Sequence, residues 1–232
     1  MKRWLSISLS TLAITPIIIS ISQPAQAFDF VRRFTSFLDA SQEVTPSTST
    51  ATGTATLDVL QDGFGNYALE YEVIVTPELD FTALRDETDP IKDNDIIFFH
   101  LHADAPRGAN GQLPFRIKEL QPDGVVRNDD DFRINITNEN TVITGLLTEG
   151  EFFAPPDAPQ DPFTDFNSFI ENELLSIHGG DTSLYWNIHS FAFPSGAIRG
   201  QVVATPEPTS LIGLLTLGFL GVSCVKNKHK SH

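Results

Sequence analysis

Of the chain's six histidines, three stand where they could act together. His100 and His102 occupy i and i+2 in "IIFFHLHADAPRGANG", and His189 follows an asparagine and an isoleucine in "LYWNIHSFAF". Successive side chains of a strand alternate between its faces, so His100 and His102 point the same way as Ile96 and Phe98 while Ile97, Phe99 and Leu101 point the other way. By the same rule His189 shares a face with Tyr185, Asn187 and Phe191. Adjacent strands would bring three imidazoles together, and neutral imidazole is a ligand for Cu and Zn. Metal–nitrogen bonds of about 2.0–2.1 Å would set the donor atoms of different rings roughly 3–4 Å apart. The competing use of such histidines is hydrogen bonding that ties strands to loops. Both uses are open at the level of sequence.

Other chemistry-bearing residues point to simpler roles. His178, before Gly179-Gly180, reads as a helix C-terminal cap. Asp129-Asp130-Asp131 lacks the alternation and the glycine of a calcium loop and reads as a solvated turn. Arg199, the only basic residue of the central region after Arg133, reads as half of a structural salt bridge. No residue reads as catalytic: there is no cysteine nucleophile outside the C-terminal segment, no G-x-S-x-G and no phosphate-binding glycine loop. Acids are too many for any pair to be singled out for glycosidase work. A hydrolase or redox enzyme is therefore the least supported class.

The elements that would position the histidines are strands. In "NYALEYEVIV" Tyr67, Leu69, Tyr71, Val73 and Val75 share one face while Ala68, Glu70 and Glu72 share the other, the period of a half-buried strand. Asp62-Gly63 with Gly65-Asn66 separates it from "TGTATLDVL", so the two predict an antiparallel hairpin. Further strands are predicted at 34–40, 95–102, 113–119, 132–136, 141–147, 183–191 and 196–203. One helix interrupts them, in "DPFTDFNSFIENELLSI", with Phe166, Phe169, Ile170, Leu174 and Ile177 at helical spacing, Asp161 as N-cap and Pro162 in the first turn. The fold class is all-β, a Greek-key-like sandwich or barrel of roughly eight or nine strands with one inserted helix.

The two ends of the chain read as addresses, with a plain membrane anchor as the competing reading of each. Residues 1–27 begin with Lys2 and Arg3, continue through an apolar stretch and close on Ala25-Gln26-Ala27, an A-x-A site for signal peptidase. Residues 206–232 carry Pro206-Glu207-Pro208, an apolar stretch from Leu211 to Val225 and then Lys226, Lys228 and Lys230. That stretch is a minimal membrane span, since a crossing helix needs about 20 residues, and its basic end belongs in the cytoplasm. The domain between, residues 28–205, is long enough to bury a core. Ten of the chain's 15 Lys and Arg and 29 of its 30 Asp and Glu lie there, a net charge of −19. Such a surface excludes nucleic acid as a partner of the folded domain. The single cysteine, Cys224, lies in the tail, so the domain must be stable without a disulfide.

The C-terminal segment resembles the PEP-CTERM sorting tail of Gram-negative bacteria and cyanobacteria. The resemblance implies an exosortase-type protease as partner, which would cut near the motif and release or re-anchor the protein at the envelope. Before that the protein would be held transiently in the membrane by the tail helix. Across residues 28–205 the chain resembles the CHRD domain, named for chordin, through "FTSFLDASQEVTPSTSTATGTATLDV", "HLHADAPRGANG" and "LYWNIHSFAFPSGAIRGQV", in that order. This implies a β-sandwich or barrel and an extracellular setting, and hence a structural, adhesion or binding module of the cell surface or matrix, or a secreted one, with an envelope or matrix polymer or protein as partner. A more distant likeness is to copper/zinc superoxide dismutases, also Greek-key barrels. The H-x-H on one strand with a single histidine on a late strand is similar to their copper ligands. The bridging-histidine zinc set and the disulfide cysteines have no counterpart, so the likeness implies a Cu or Zn site at His100, His102 and His189 as the alternative reading, without redox turnover.

Overall fold

A computed structural model describes residues 27–81, 92–120, 126–152 and 165–205. The signal and sorting segments, Ala27 apart, lie outside these residues, as do Asp161 and Pro162. Among these residues ten strands form one antiparallel sheet: β1 (Phe28–Asp39), β2 (Thr52–Asp62), β3 (Tyr67–Val75), β4 (Ile96–Ala103), β5 (Gln112–Leu120), β6 (Val126–Asn128), β7 (Arg133–Ile136), β8 (Thr141–Leu147), β9 (Gly180–Ser190) and β10 (Ile198–Ala204). Their spatial order is β6-β5-β4-β9-β10-β1-β2-β3-β8-β7. The all-β architecture with one short helical insertion is the one anticipated. Among the described residues no helix is long and apolar enough to cross a membrane.

The sheet curls onto itself. Tyr71 of β3 packs edge-on against Phe99 of β4, ring centroids 6.5 Å apart, and lies 5.7 Å from Trp186 of β9. Four strands separate β3 from β4 in the sheet order, so only curvature brings these rings together. The concave side thus becomes the core, built from the alternate residues Phe34 and Leu38, Leu57 and Val59, Leu69, Tyr71 and Val73, Phe99 and Leu101, Leu184, Trp186 and Ile188. The two edge strands, β6 and β7, are consecutive in the chain and joined by residues 129–132.

The predicted hairpin forms in full register, from Gly53 opposite Val75 to Gln61 opposite Tyr67. Its turn is held by Asp62, whose Oδ1 accepts from the backbone N–H of Phe64 (2.8 Å) and of Asn66 (2.9 Å). β1 begins at Phe28 rather than at residue 34. A bulge between Phe30 and Arg32 breaks its alternation, and the inward residue there is Arg32, which lies over the Phe34 ring. The helix also differs from expectation: α1 (Phe166–Ile170) is capped by Asp165, whose carboxylate accepts from Ser168 N–H at 2.8 Å. It continues as a π-turn over Glu171–Leu175. Phe166 and Phe169 lie against Phe115 and Phe152, filling the concave side beside β5. His178 is exposed and does not cap this element, which ends at Ser176.

Candidate functional site

β4 and β9 are neighbours, with Phe98 opposite His189, His100 opposite Asn187 and His102 opposite Tyr185. Core residues of both strands take the concave face, so these six side chains form two facing rows of three on the convex face. The third strand of this face, β10, places Arg199 beside Asn187 and Gln201 beside Tyr185. The strand adjacency that convergence requires is present. One ring nitrogen from each of His100, His102 and His189 lies within 4.8 Å of the others.

Loops wall the cluster on both sides. The segment after β4 folds back over the convex face, with Gly111 N–H donating to the Tyr185 hydroxyl (3.1 Å) and the Gln201 amide to Ala105 O (3.3 Å). Gly111 passes so close to the Ala103 carbonyl that a Cβ has no room. On the other side the β9–β10 hairpin offers the Pro194 carbonyl at 3.0 Å from His189 Nδ1. That contact makes Nδ1 the protonated nitrogen and turns the Nε2 lone pair toward the cluster. The remaining rings are fixed by stacking. His102 lies parallel to Tyr185 at 4.6 Å, and the Arg199 guanidinium lies 3.3 Å over a face of the Tyr185 ring. Phe98 stacks on His100 at 5.4 Å.

Within this enclosure four of the imidazole nitrogens lack hydrogen-bond partners. His100 Nε2, both nitrogens of His102 and His189 Nε2 are shielded from solvent without a hydrogen bond, and so is Asn187 Oδ1. The backbone of Gly111 and Gln112 approaches His102 and favours its charged form, but short of hydrogen-bond geometry. Burial dominates: it pushes His100 down to about 2 and His102 to about 4, and lowers His189 as well. The three rings are therefore neutral at pH 7, the state in which imidazole ligates a metal. His189 does tie a loop, through Nδ1 to the Pro194 carbonyl; the other shielded nitrogens make no such bond to the described residues.

Arg199 is 1% exposed, and its role differs from the salt bridge expected. Its guanidinium donates to Ala109 O (2.6 Å) and covers Tyr185, while Glu43 acts on it through charge. It is thereby a clamp on the loop and on the ring that supports His102. The sequence placed Asn187 on the face of His189. It could not show that its oxygen is buried without a partner, because that depends on neighbours far along the chain.

A second cluster brings carboxylates of Asp129, Asp130 and Glu151 within 4.8 Å. Asp129 is 2% exposed, so this part of the turn is not solvated as expected; Asp130 and Asp131 are exposed. Asp129 Oδ2 accepts from the Tyr71 hydroxyl at 2.8 Å and its Oδ1 from Asp131 N–H at 3.0 Å. Burial raises the carboxyl of Asp129 and, with the nearby charge of Asp129, the phenol of Tyr71. Alongside runs a groove of about 460 Å³ lined by Arg33, Asp58, Glu70, Glu72, Asp131 and Thr144. Arg33 is bidentate on Asp58 there, at 2.7 and 2.6 Å.

A family model, the CHRD domain, matches residues 34–202. No curated protein and no solved structure matches the chain. The match covers both histidine strands, the loop between β4 and β5, and the clamp at Arg199.

Proposed function

From the chain's membership of the CHRD family, an extracellular binding or structural module, we propose that it is an exported surface or matrix module that binds one late first-row transition-metal ion, Cu or Zn, through His100, His102 and His189. The observation that carries this reading is the convergence of three neutral imidazoles whose inward nitrogens are buried without hydrogen-bond partners. Such atoms are costly unless a ligand satisfies them. His189, oriented from behind by the Pro194 carbonyl, has the arrangement usual for a metal-bound histidine. The proposed role is binding, with the ion stabilising the fold of a surface component; no turnover is assigned.

Calorimetric titration of the purified protein with Zn²⁺ and Cu²⁺, beside a His100→Ala, His102→Ala variant, tests it. Saturable binding that the variant lacks supports the site. Equal, weak uptake by both proteins rejects it. Export rests on the A-Q-A signal ending and envelope sorting on the Pro206-Glu207-Pro208 tail, with signal peptidase and an exosortase-type protease as the processing partners. Intact mass of the protein recovered from the envelope or medium checks both. The expected chain starts at Phe28 and ends near Pro208, and one still carrying Leu211 to His232 would contradict the sorting role.

A further inference from the structure

We propose that the amide oxygen of Asn187 is the fourth ligand of the ion, closing a tetrahedral site whose donors all come from the chain. The proposal rests on the metal-binding reading above and concerns how the shell of that ion is completed.

Position is the first argument. On the convex face β4 presents Phe98, His100 and His102, and β9 presents His189, Asn187 and Tyr185 opposite them. His100 and Asn187 are thus the central pair, with His102 and His189 at opposite corners of the block. Side chains directly opposite each other on antiparallel strands have Cβ atoms about 4.5–5.5 Å apart. Asn187 therefore stands across from His100, diagonal to His102 and two residues before His189 on its own strand. An ion shared by the three rings lies over this central pair.

The condition of the amide is the second. Asn187 is 5% exposed, and its Oδ1, like the four ring nitrogens, is shielded from solvent and makes no hydrogen bond to the described residues. A buried oxygen in that state is costly, and an ion at the cluster satisfies it together with the imidazoles. Two other oxygens, Gln201 Oε1 and Glu43 Oε1, are buried in the same condition, but neither belongs to the cluster. Gln201 stands opposite Tyr185 on β10, so that β9 separates it from both histidines of β4, and its amide nitrogen is tied to Thr182 O at 2.7 Å. The Glu43 carboxyl packs against Gly196 of the β9–β10 hairpin, and no carboxylate of the described residues groups with the three histidines.

Coordination number is the third. Zn(II) with three protein ligands leaves its fourth position to water or substrate, as catalytic sites do, whereas four protein ligands make a structural site. Here the inward nitrogens are shielded from solvent and the loop after β4 is folded over the face. A fourth donor supplied by the chain fits this enclosure, and an ion so held serves the fold rather than a reaction.

The test uses the full chain loaded with Co²⁺, whose visible bands report a tetrahedral shell, with Zn²⁺ affinity measured beside it. The expected result is tetrahedral bands that azide does not shift. Asn187→Ala opens one position, so Zn²⁺ affinity should fall at least roughly tenfold and azide should now shift the Co²⁺ bands. Asn187→Asp keeps an oxygen donor in place and should restore both the affinity and the indifference to azide. Azide binding to the unaltered protein overturns the proposal and leaves the three-histidine site standing, a result that holds even where the alanine variant fails to fold. An alanine variant that binds Zn²⁺ as tightly as its parent and remains closed to azide overturns it too, because Asn187 would then be a structural amide. If the full chain takes up neither Zn²⁺ nor Co²⁺ nor Cu²⁺, the metal-binding reading falls and this proposal with it.

Discussion

The histidine cluster and the Asp129 cluster each gather three ligand-type side chains within 4.8 Å, yet their buried atoms are in opposite conditions. Both oxygens of Asp129 are engaged, one by the Tyr71 hydroxyl and one by the Asp131 N–H. Four nitrogens of the histidine cluster and the Asn187 oxygen beside it make no hydrogen bond to the described residues. Proximity is common to the two; satisfaction is what separates them. A buried carboxylate with its hydrogen bonds made is a structural joint, here tying the β6–β7 turn to the middle of β3. Buried ring nitrogens without partners are a reservoir of unfavourable energy that an ion can relieve.

Acid should separate the two regions most strongly. In the fold His100 titrates at about 2 and His102 at about 4, against about 6.5 unfolded, so the unfolded chain takes up protons first as pH falls. The stability their neutral forms contribute is complete above about pH 6.5 and drains away on acidification toward those folded values, by about 1.4 kcal/mol per pH unit for each ring at most. His189 adds in the same direction. Asp129 has the opposite sign: its raised folded value makes its contribution greatest below about 4 and smaller as pH rises through the folded value. Urea unfolding of the metal-free protein between pH 7 and 4.5 should show a steep loss that His102→Gln makes shallower. A flat profile would contradict the neutral, buried assignment.

The next effect is that of the ion itself. With free Zn²⁺ or Cu ion at 100 times its dissociation constant, the protein should gain about 2.7 kcal/mol, lost on chelation and absent in His100→Ala, His102→Ala. Asp129→Asn should leave that gain unchanged, since its cluster is structural. Tyr71→Phe removes the donor to a buried carboxylate and should cost about 1–3 kcal/mol in denaturant unfolding while metal affinity stays the same. The smallest effect belongs to Asp130→Asn: at an exposed position it should alter stability by less than about 0.5 kcal/mol, and a larger loss would mean that the acidic cluster does hold a cation.

Much of this was legible in the sequence because it is local. Alternation in "NYALEYEVIV" marks β3, and the i, i+2 pair at His100 and His102 fixes a common face. Whether His189 joins them is a matter of which strands are neighbours, and β4 pairs with β9 across more than eighty residues. β6 is only three residues long, too short for any period to register. The start of β1 was hidden because its inward position carries an arginine and a bulge resets the alternation. Asp129 looked like part of a solvated turn because the hydroxyl that buries it comes from Tyr71, 58 residues earlier. In each case the missing information is a partner distant in the chain.

The first and last strands of the domain are adjacent and antiparallel, Phe34 facing Ala204, and Thr205 donates its hydroxyl to Arg33 O at 2.6 Å. Both ends therefore leave the sheet in the same direction, from its middle. Tension applied between them does not shear this ladder, whose hydrogen bonds lie across the strands; it opens the ladder one rung at a time from Ala204 inward. The histidine face, at the far end of β9 and β10, is reached last. Pulled by its ends, the domain should yield at low force along the β1–β10 seam, with the rungs nearest the histidines the last of that seam to part.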